Sequence, residues 1–119
     1  MALFKNTSQQ GDAAEVIAAD FLKKQGLKPV ASQYRSRFGE IDLIMQDKET
    51  LVFIEVRLRK NKQFGGAEAS IDGSKQRKIV MTAAHYLQQH GDASCRFEAV
   101  LMDGMDIKNI TWIKDAFQA

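Results

Sequence analysis

The sequence predicts an α/β domain in which a mixed β-sheet is flanked by α-helices, in the order α-β-β-β-α-β-β. Its 119 residues suit one domain, so residues 1–119 are expected to fold as a single unit. Hydrophobic residues make up 45% and charged residues 27%, which is ordinary for a globular protein. Two segments with helical periodicity are set among five strand-like segments, without an internal repeat.

The first helix is predicted from about Gln10 to Gln25, because apolar residues recur there at helical spacing. They share one face of the helix: Ala14, Ile17, Ala18, Phe21 and Leu22. Gly26 supplies a natural C-terminal stop. Glu15 lies at the edge of the apolar stripe, so we expect it to reach the sheet that the helix covers.

Three strands are predicted after this helix. The segment from Leu27 to Tyr34 is weakly patterned and contains the only proline, so it suits a sheet edge. The segments from Glu40 to Met45 and from Leu51 to Leu58 are separated by a short polar turn. They therefore predict an antiparallel hairpin.

The remaining elements follow a glycine-punctuated stretch. The segment from Asn61 to Gly73 predicts an irregular loop. Ser74 is predicted to cap a second helix that runs to about His90, and Gly91 ends it. Two final strands are predicted from Cys95 to Met102 and from Ile107 to Ile113.

Two carboxylates stand in the middle of apolar strand segments. Asp42 lies in the sequence GEIDLI and Glu55 in the sequence VFIEVR. Strict alternation puts Asp42 with Ile44 on one strand face, opposite Ile41 and Leu43. Aspartate and glutamate are depleted in strands and are rarely buried without partners, so this pair needs a physical explanation.

A metal site would explain the pair. If Asp42 and Glu55 share a sheet face and Glu15 reaches it from the helix, the three form an oxygen-rich pocket that suits Mg²⁺. An ion there could activate water at a phosphodiester. The alternative is that these charges face solvent on a half-exposed sheet, with Arg57 as a cross-strand ion-pair partner.

Positive charge is concentrated in one stretch, although the total is only +2. Residues 57–78 hold seven Lys or Arg against two acidic residues, a net charge of +5, and the rest of the chain carries −3. This segregation predicts a polyanion site, since phosphate contacts dominate nucleic-acid affinity. The alternative is a solvated face. Lys75 and Gln76 lie at the start of the second helix, on its inward side. Anions are favoured at a helix N-terminus, so both residues are candidate contacts for a phosphate. The alternative for Gln76 is that it caps the helix.

Several classes of protein are disfavoured. The single cysteine, Cys95, excludes an intramolecular disulfide and a cysteine-rich zinc site. The N-terminus lacks the apolar core of a signal peptide, and no apolar run approaches the ~20 residues of a membrane span. We therefore expect a cytoplasmic protein without membrane contact.

These motifs resemble those of the YraN family of bacterial proteins. The resemblance rests on Glu15 with Ala18 and Leu22, on GEIDLI and on VFIEVR, and it covers nearly the whole chain. By fold that family belongs to the restriction-endonuclease-like PD-(D/E)XK superfamily. The helix glutamate placed before the strand carboxylates is similar to that of archaeal Holliday-junction resolvases. The resemblance therefore implies a restriction-endonuclease-like fold, and an activity by analogy.

The resemblance also implies roles for particular residues. It implies that Mg²⁺ or Mn²⁺ is held by Glu15, Asp42 and Glu55, and that the catalytic set is Asp42, Glu55, Arg57 and Lys75. The charge distribution adds a set of nucleic-acid contacts: Arg59, Lys60, Lys62, Lys75, Gln76, Arg77 and Lys78. The expected partner is DNA, with branched DNA as one candidate substrate, and a homodimer is expected by analogy with resolvases.

One position departs from the family motif, which usually ends in Glu-Val-Lys but here ends in Arg57. A lysine can help to deprotonate water, whereas an arginine stays protonated and offers a planar fork to phosphate. Either Arg57 acts electrostatically, or catalytic power is reduced, or Lys75 or Lys60 takes over. Three hypotheses follow: a metal-dependent nuclease, a non-catalytic nucleic-acid-binding module, and a protein-interaction scaffold.

Overall fold

The structure, a computed structural model, describes residues 7–59, 71–104 and 109–119, and only the backbone of residues 7–11 and 59. Most of the predicted loop from Asn61 to Gly73 lies outside these residues. The described elements, in chain order, are α1 (Thr7–Lys24), β1 (Lys28–Ser36), β2 (Gly39–Asp47), β3 (Thr50–Arg59), α2 (Gly73–His90), β4 (Cys95–Asp103) and β5 (Ile110–Phe117). This order confirms the predicted α/β fold.

The five strands form one mixed sheet in the order β1-β2-β3-β4-β5. β1 pairs antiparallel with β2, β2 with β3, and β4 with β5. β3 and β4 are parallel, and α2 makes the crossover that a parallel pair requires. The predicted edge position of the first strand and the predicted antiparallel hairpin of the next two are both confirmed.

α1 covers one face of the sheet with the apolar stripe that the sequence predicts. Ala14, Ala18 and Leu22 are buried, and they pack on strand residues that include Leu43 and Val52. The helix ends in a Schellman motif: the N–H of Leu27 donates to the Leu22 carbonyl at 3.1 Å, and Gly26 adopts a φ of +102°. The predicted glycine stop is confirmed.

α2 covers the opposite face, with Ile79 and Ala83 buried in its centre. The predicted cap at Ser74 is wrong. Asp72 is the N-cap, and its carboxylate accepts a 2.8 Å hydrogen bond from the backbone N–H of Lys75, so the helix begins before Ser74. Neither of the two helices that the structure describes is long and apolar enough to cross a membrane.

The alternation of β2 breaks next to the predicted site. Ile41 packs with Ile44 in the cluster under α2, whereas Leu43 packs in the cluster under α1. The prediction of strict alternation is therefore wrong for Ile41. The paired register of β2 and β3 ends at Leu43 and Ile54, and the break puts Asp42 at the point where the two strands part.

Candidate functional site

Asp42 is held at this parting by the main chain of β3. Its Oδ2 accepts a 2.8 Å hydrogen bond from the backbone N–H of Val56. The N–H of Val56 in β3 therefore donates to a side chain of β2 instead of to a backbone carbonyl of that strand. Because the backbone of β3 lies inside a parallel pair with β4, the position of the Asp42 carboxylate is tied to the sheet itself.

Two further carboxylates interact with Asp42, one from each side of the sheet. α1 brings Glu15 from the face that it covers, and Glu55 alternates with Ile54 toward the face of α2. Burial, followed by the charge of Asp42, raises the pKa of Glu15 to about 8 and that of Glu55 also to about 8. Both glutamates interact with Asp42, but Glu15 comes from the helix on the opposite face from the one toward which Glu55 points, and not from a helix that covers Glu55, as we expected.

The basic side chains of the site approach Glu55, which is only 5% exposed. Lys75 Nζ lies 3.6 Å from Glu55 Oε2, and Arg57 Nε lies 3.7 Å from Glu55 Oε1. Both separations exceed a hydrogen bond. Among the described residues, Glu55 Oε2 and Arg57 Nε find no hydrogen-bond partner. Arg57 thus pairs along its own strand, and among the described residues it forms no cross-strand ion pair.

The donor set suits a hard divalent cation. In the described part of the chain, no group of three or more His, Cys, Asp or Glu is arranged to hold a metal ion. However, Mg²⁺ needs only one or two carboxylates, with waters and substrate phosphate as its other ligands. Asp42 and Glu55 supply that number, and the buried Oε2 of Glu55 is without a hydrogen-bond partner among the residues described. Glu15 completes the predicted set through its interaction with Asp42.

The sequence did not single out Gln33, which supports Glu15. Gln33 adopts a φ of +51°, which is uncommon for a residue other than glycine, and it lies in β1. Its side-chain amide donates to Asp12 of α1. A side-chain hydrogen bond between Gln33 and Glu15 lowers the pKa of Glu15, against the effects of burial and of Asp42. No local sequence pattern predicts this role of Gln33, because the role depends on how α1 packs against β1.

The predicted nucleic-acid contacts are only partly described. Arg77 and Lys78 are exposed on the first turns of α2, next to the half-buried Lys75. Gln76 is half-buried and donates from Nε2 to the carbonyl of Ile71 at 3.1 Å, so it bonds the segment before the helix and does not cap the N–H groups of the first turn. Two other positions, Lys60 and Lys62, lie outside the described residues, and only the backbone of Arg59 is described.

A further buried carboxylate, Glu98, lies apart from this cluster. It is 1% exposed, and it accepts hydrogen bonds from Arg96 Nε at 2.6 Å and from Trp112 Nε1 at 2.8 Å. The backbone N–H of Asp115 donates to it at 3.2 Å. Because both carboxylate oxygens of Glu98 have hydrogen-bond partners, a structural role is enough to explain why Glu98 is buried. Glu55 differs, since its Oε2 has no such partner among the described residues.

Comparison with known proteins identifies the family. The model of the uncharacterised protein family UPF0102 matches residues 14–102, which include every carboxylate of the cluster. A UPF0102 protein of Methylobacillus flagellatus is 53% identical over 111 residues, covering 93% of this chain and 98% of that protein. Another, of Psychromonas ingrahamii, is 51% identical over 119 residues, covering 98% and 95%. These matches confirm the family resemblance predicted from the motifs. The chain belongs to the uncharacterised protein family UPF0102.

Proposed function

We propose that this protein is a metal-dependent nuclease that hydrolyses DNA phosphodiester bonds, with branched DNA among its substrates. Asp42 and Glu55 would hold Mg²⁺ or Mn²⁺, with Glu15 in support. One observation carries the proposal: a carboxylate cluster centred on Asp42 lies directly beside the cations Lys75 and Arg57. A site for a metal and a site for a phosphate therefore adjoin.

The electrostatics of the cluster favour a cation. Burial and mutual repulsion raise the pKa of Glu15 and of Glu55 to about 8, so near neutral pH the cluster holds protons that a divalent ion can displace. When bound, such an ion would supply an activated water and neutralise charge on the phosphate. Asp42 keeps its position through the N–H of Val56, whether or not the ion is present.

The cations favour an anion at the start of α2. Lys75 is in the first turn of this helix, where the positive end of the helix dipole favours phosphate. Its backbone N–H is already bonded to the Asp72 carboxylate, so its ammonium group is the part that can contact a phosphate. The half-buried Arg57 can offer its fork to a phosphate oxygen, but it stays protonated and cannot act as a base. Lys75, at 3.6 Å from Glu55, is therefore our candidate for the role of the motif lysine.

The second candidate function is a non-catalytic nucleic-acid-binding module on the same fold. Arg57 favours it, because this residue replaces the lysine with which the motif usually ends. The two ion pairs of Glu55 favour it as well, since they offset the charge of this carboxylate without a metal. This candidate predicts salt-sensitive DNA binding without metal-dependent cleavage.

Cleavage of branched and linear DNA in Mn²⁺ tests the proposal. We expect the wild type to cut, and Asp42→Asn to lose more than about 100-fold in rate, since outer-shell partners of a metal alone contribute about 10–100-fold. The matched control is Asp20→Asn, because Asp20 is an exposed carboxylate of the same α1 whose ion-pair partner among the described residues is Lys23, at 3.3 Å.

The outcomes separate the candidates. Equal cleavage by the wild type and Asp42→Asn would contradict the catalytic assignment. Binding that survives Asp42→Asn, with no cleavage by either protein, would favour the module. If Arg57→Lys then gained cleavage, the protein would be a degenerate nuclease. Light scattering on the same samples tests the expected homodimer.

A further inference from the structure

A cavity of about 560 Å³ lies between the β1–β2 turn and α2, away from the carboxylate cluster. Two of its lining residues belong to the turn and four to one face of α2, at spacings of three and four residues. They are Arg37 and Phe38 from the turn, and Met81, Ala84, His85 and Gln88 from the helix. Nothing in the proposed chemistry uses this cavity.

Its charge distinguishes it from a second cavity of similar size in the described part of the chain. The cavity between α1 and β1, of about 520 Å³, is lined by Asp12, Glu15 and Asp20 against one cation, Lys23, so it is less suited to a polyanion. The turn–α2 cavity has no acidic residue among the lining residues that the structure describes, and Arg37 lies at its rim. Of the two, only the turn–α2 cavity is complementary to a nucleic-acid strand.

The lining residues have the chemistry of a base-stacking platform. The guanidinium carbon of Arg37 lies 4.9 Å from the ring centre of Phe38. Met81 leaves an apolar, polarisable side chain 45% exposed. The hydroxyl of Tyr34 lies 2.6 Å from His85 Nδ1, which fixes the orientation of the His85 ring. Proteins bind unpaired bases by stacking them on such rings and by bonding their polar edges.

The platform is joined to the candidate site through α2. Ser36, just before the turn, bonds Thr82 of α2 at an oxygen–oxygen distance of 3.0 Å. Gly39, just after it, faces Lys78, one turn along the helix from Lys75. At a rise of 1.5 Å per residue, the helix residues of the platform lie about 9–20 Å along the helix from Lys75. That span corresponds to a few nucleotides of an unpaired strand, which extends further per nucleotide than the ~3.4 Å of a duplex strand.

We propose that the turn–α2 cavity binds one unpaired nucleobase of a DNA strand, whose phosphates pass the exposed Lys78 toward Lys75. This inference rests on the proposed function and narrows its substrate. A paired base is stacked inside the duplex and cannot enter the cavity without being extruded. The substrate class is therefore DNA with an unpaired segment a few nucleotides from the phosphate that is cut.

Fluorescence anisotropy in EDTA tests this inference without any need for metal or cleavage. The probes are a labelled single strand of about 12 nucleotides, an abasic strand of the same length, and the matched duplex. Phe38→Ala is expected to weaken binding of the single strand by about 5- to 100-fold and to leave the abasic strand and the duplex unchanged. Phe38→Trp keeps the platform and should bind like the wild type. The matched control is Val30→Ala, at an exposed apolar position of the acidic cavity.

Three results would overturn the base site: no loss of single-strand binding in Phe38→Ala, an equal loss on the abasic strand, or a loss in Phe38→Trp as large as that in Phe38→Ala. A cavity that accepts a protein side chain instead would give the first of these results. The inference and the proposed function fail separately. Base-dependent binding without cleavage would support the base site and contradict the nuclease. Cleavage together with single-strand binding that is unchanged in Phe38→Ala would support the nuclease and contradict the base site.

Discussion

Replacing Asp42 with asparagine should stabilise the metal-free protein at pH 8, although it removes a proposed metal ligand. The asparagine carbonyl oxygen can still accept the N–H of Val56, which lies 2.8 Å from the carboxylate in the wild type. The substitution removes the negative charge that, after burial, contributes most to the raised pKa of Glu15 and of Glu55. What remains is a cluster with the same hydrogen bond and less repulsion.

The size of the effect follows from the pKa of Glu55, which rises from its ordinary value of 4.5 to about 8 in the folded protein. Between those values the folded state binds more protons than the unfolded state, so the free energy of unfolding falls as pH rises through this window. At 1.36 kcal/mol per pKa unit, the full penalty is of the order of 5 kcal/mol. Burial is its largest cause, and we expect removal of the Asp42 charge to recover about 1–2 kcal/mol at pH 8. Glu15 adds less, because solvent screens this half-buried group.

Thermal and urea unfolding in EDTA, at pH 5 and pH 8, measures the effect. Asp42→Asn should raise the melting temperature at pH 8 by about 4–10 °C and change it little at pH 5. Asp42→Ala is the matched control. It removes the same charge but leaves the Val56 N–H without its acceptor, which costs about 1–3 kcal/mol at both pH values. The reasoning is refuted if Asp42→Asn gains no stability at pH 8, or gains as much at pH 5.

Four further substitutions test other parts of the structure. Gln33→Leu removes a hydrogen bond that lowers the pKa of Glu15, so this pKa should rise in an NMR titration, and an unchanged value would contradict the positioning role. Glu98→Ala should destabilise the protein by about 3–5 kcal/mol in urea, because it strips Arg96 of a buried partner, and a loss below about 1 kcal/mol would show that the network is dispensable. Asp72→Ala should lower the free energy of unfolding by about 1 kcal/mol and Ser74→Ala by less, and equal losses would mean that Asp72 is not the cap.

The elements of the fold could be predicted because their patterns are local. The apolar stripe of α1, the stop at Gly26 and the β2–β3 hairpin each depend on residues that are near in sequence. The break in β2 could not be predicted in this way. Ile41 changes face where β2 and β3 part beyond Leu43, and at the same place Asp42 accepts a hydrogen bond from Val56, 14 residues later in the chain.

The candidate site could be predicted in its members but not in its geometry. Asp42 and Glu55 stand out as carboxylates within apolar strands, yet Glu98 shows the same pattern and is satisfied by Arg96 and Trp112. The three carboxylates differ in the side chains that the fold brings next to them, and the periodicity of a strand does not predict those neighbours. Gln33 illustrates the same limit, because its role depends on contacts with α1, 18 and 21 residues earlier in the chain.

Calorimetric titration with Mn²⁺ at pH 8 tests the central claim that the Asp42 cluster is a metal site. The wild type should bind one ion per chain, with a heat that depends on the buffer, because the ion displaces protons from carboxyl groups whose pKa is about 8. The affinity should fall as the pH is lowered to 6, and Asp42→Asn should not bind. Failure of the wild type to bind at pH 8, or equal binding by Asp42→Asn, would contradict the account.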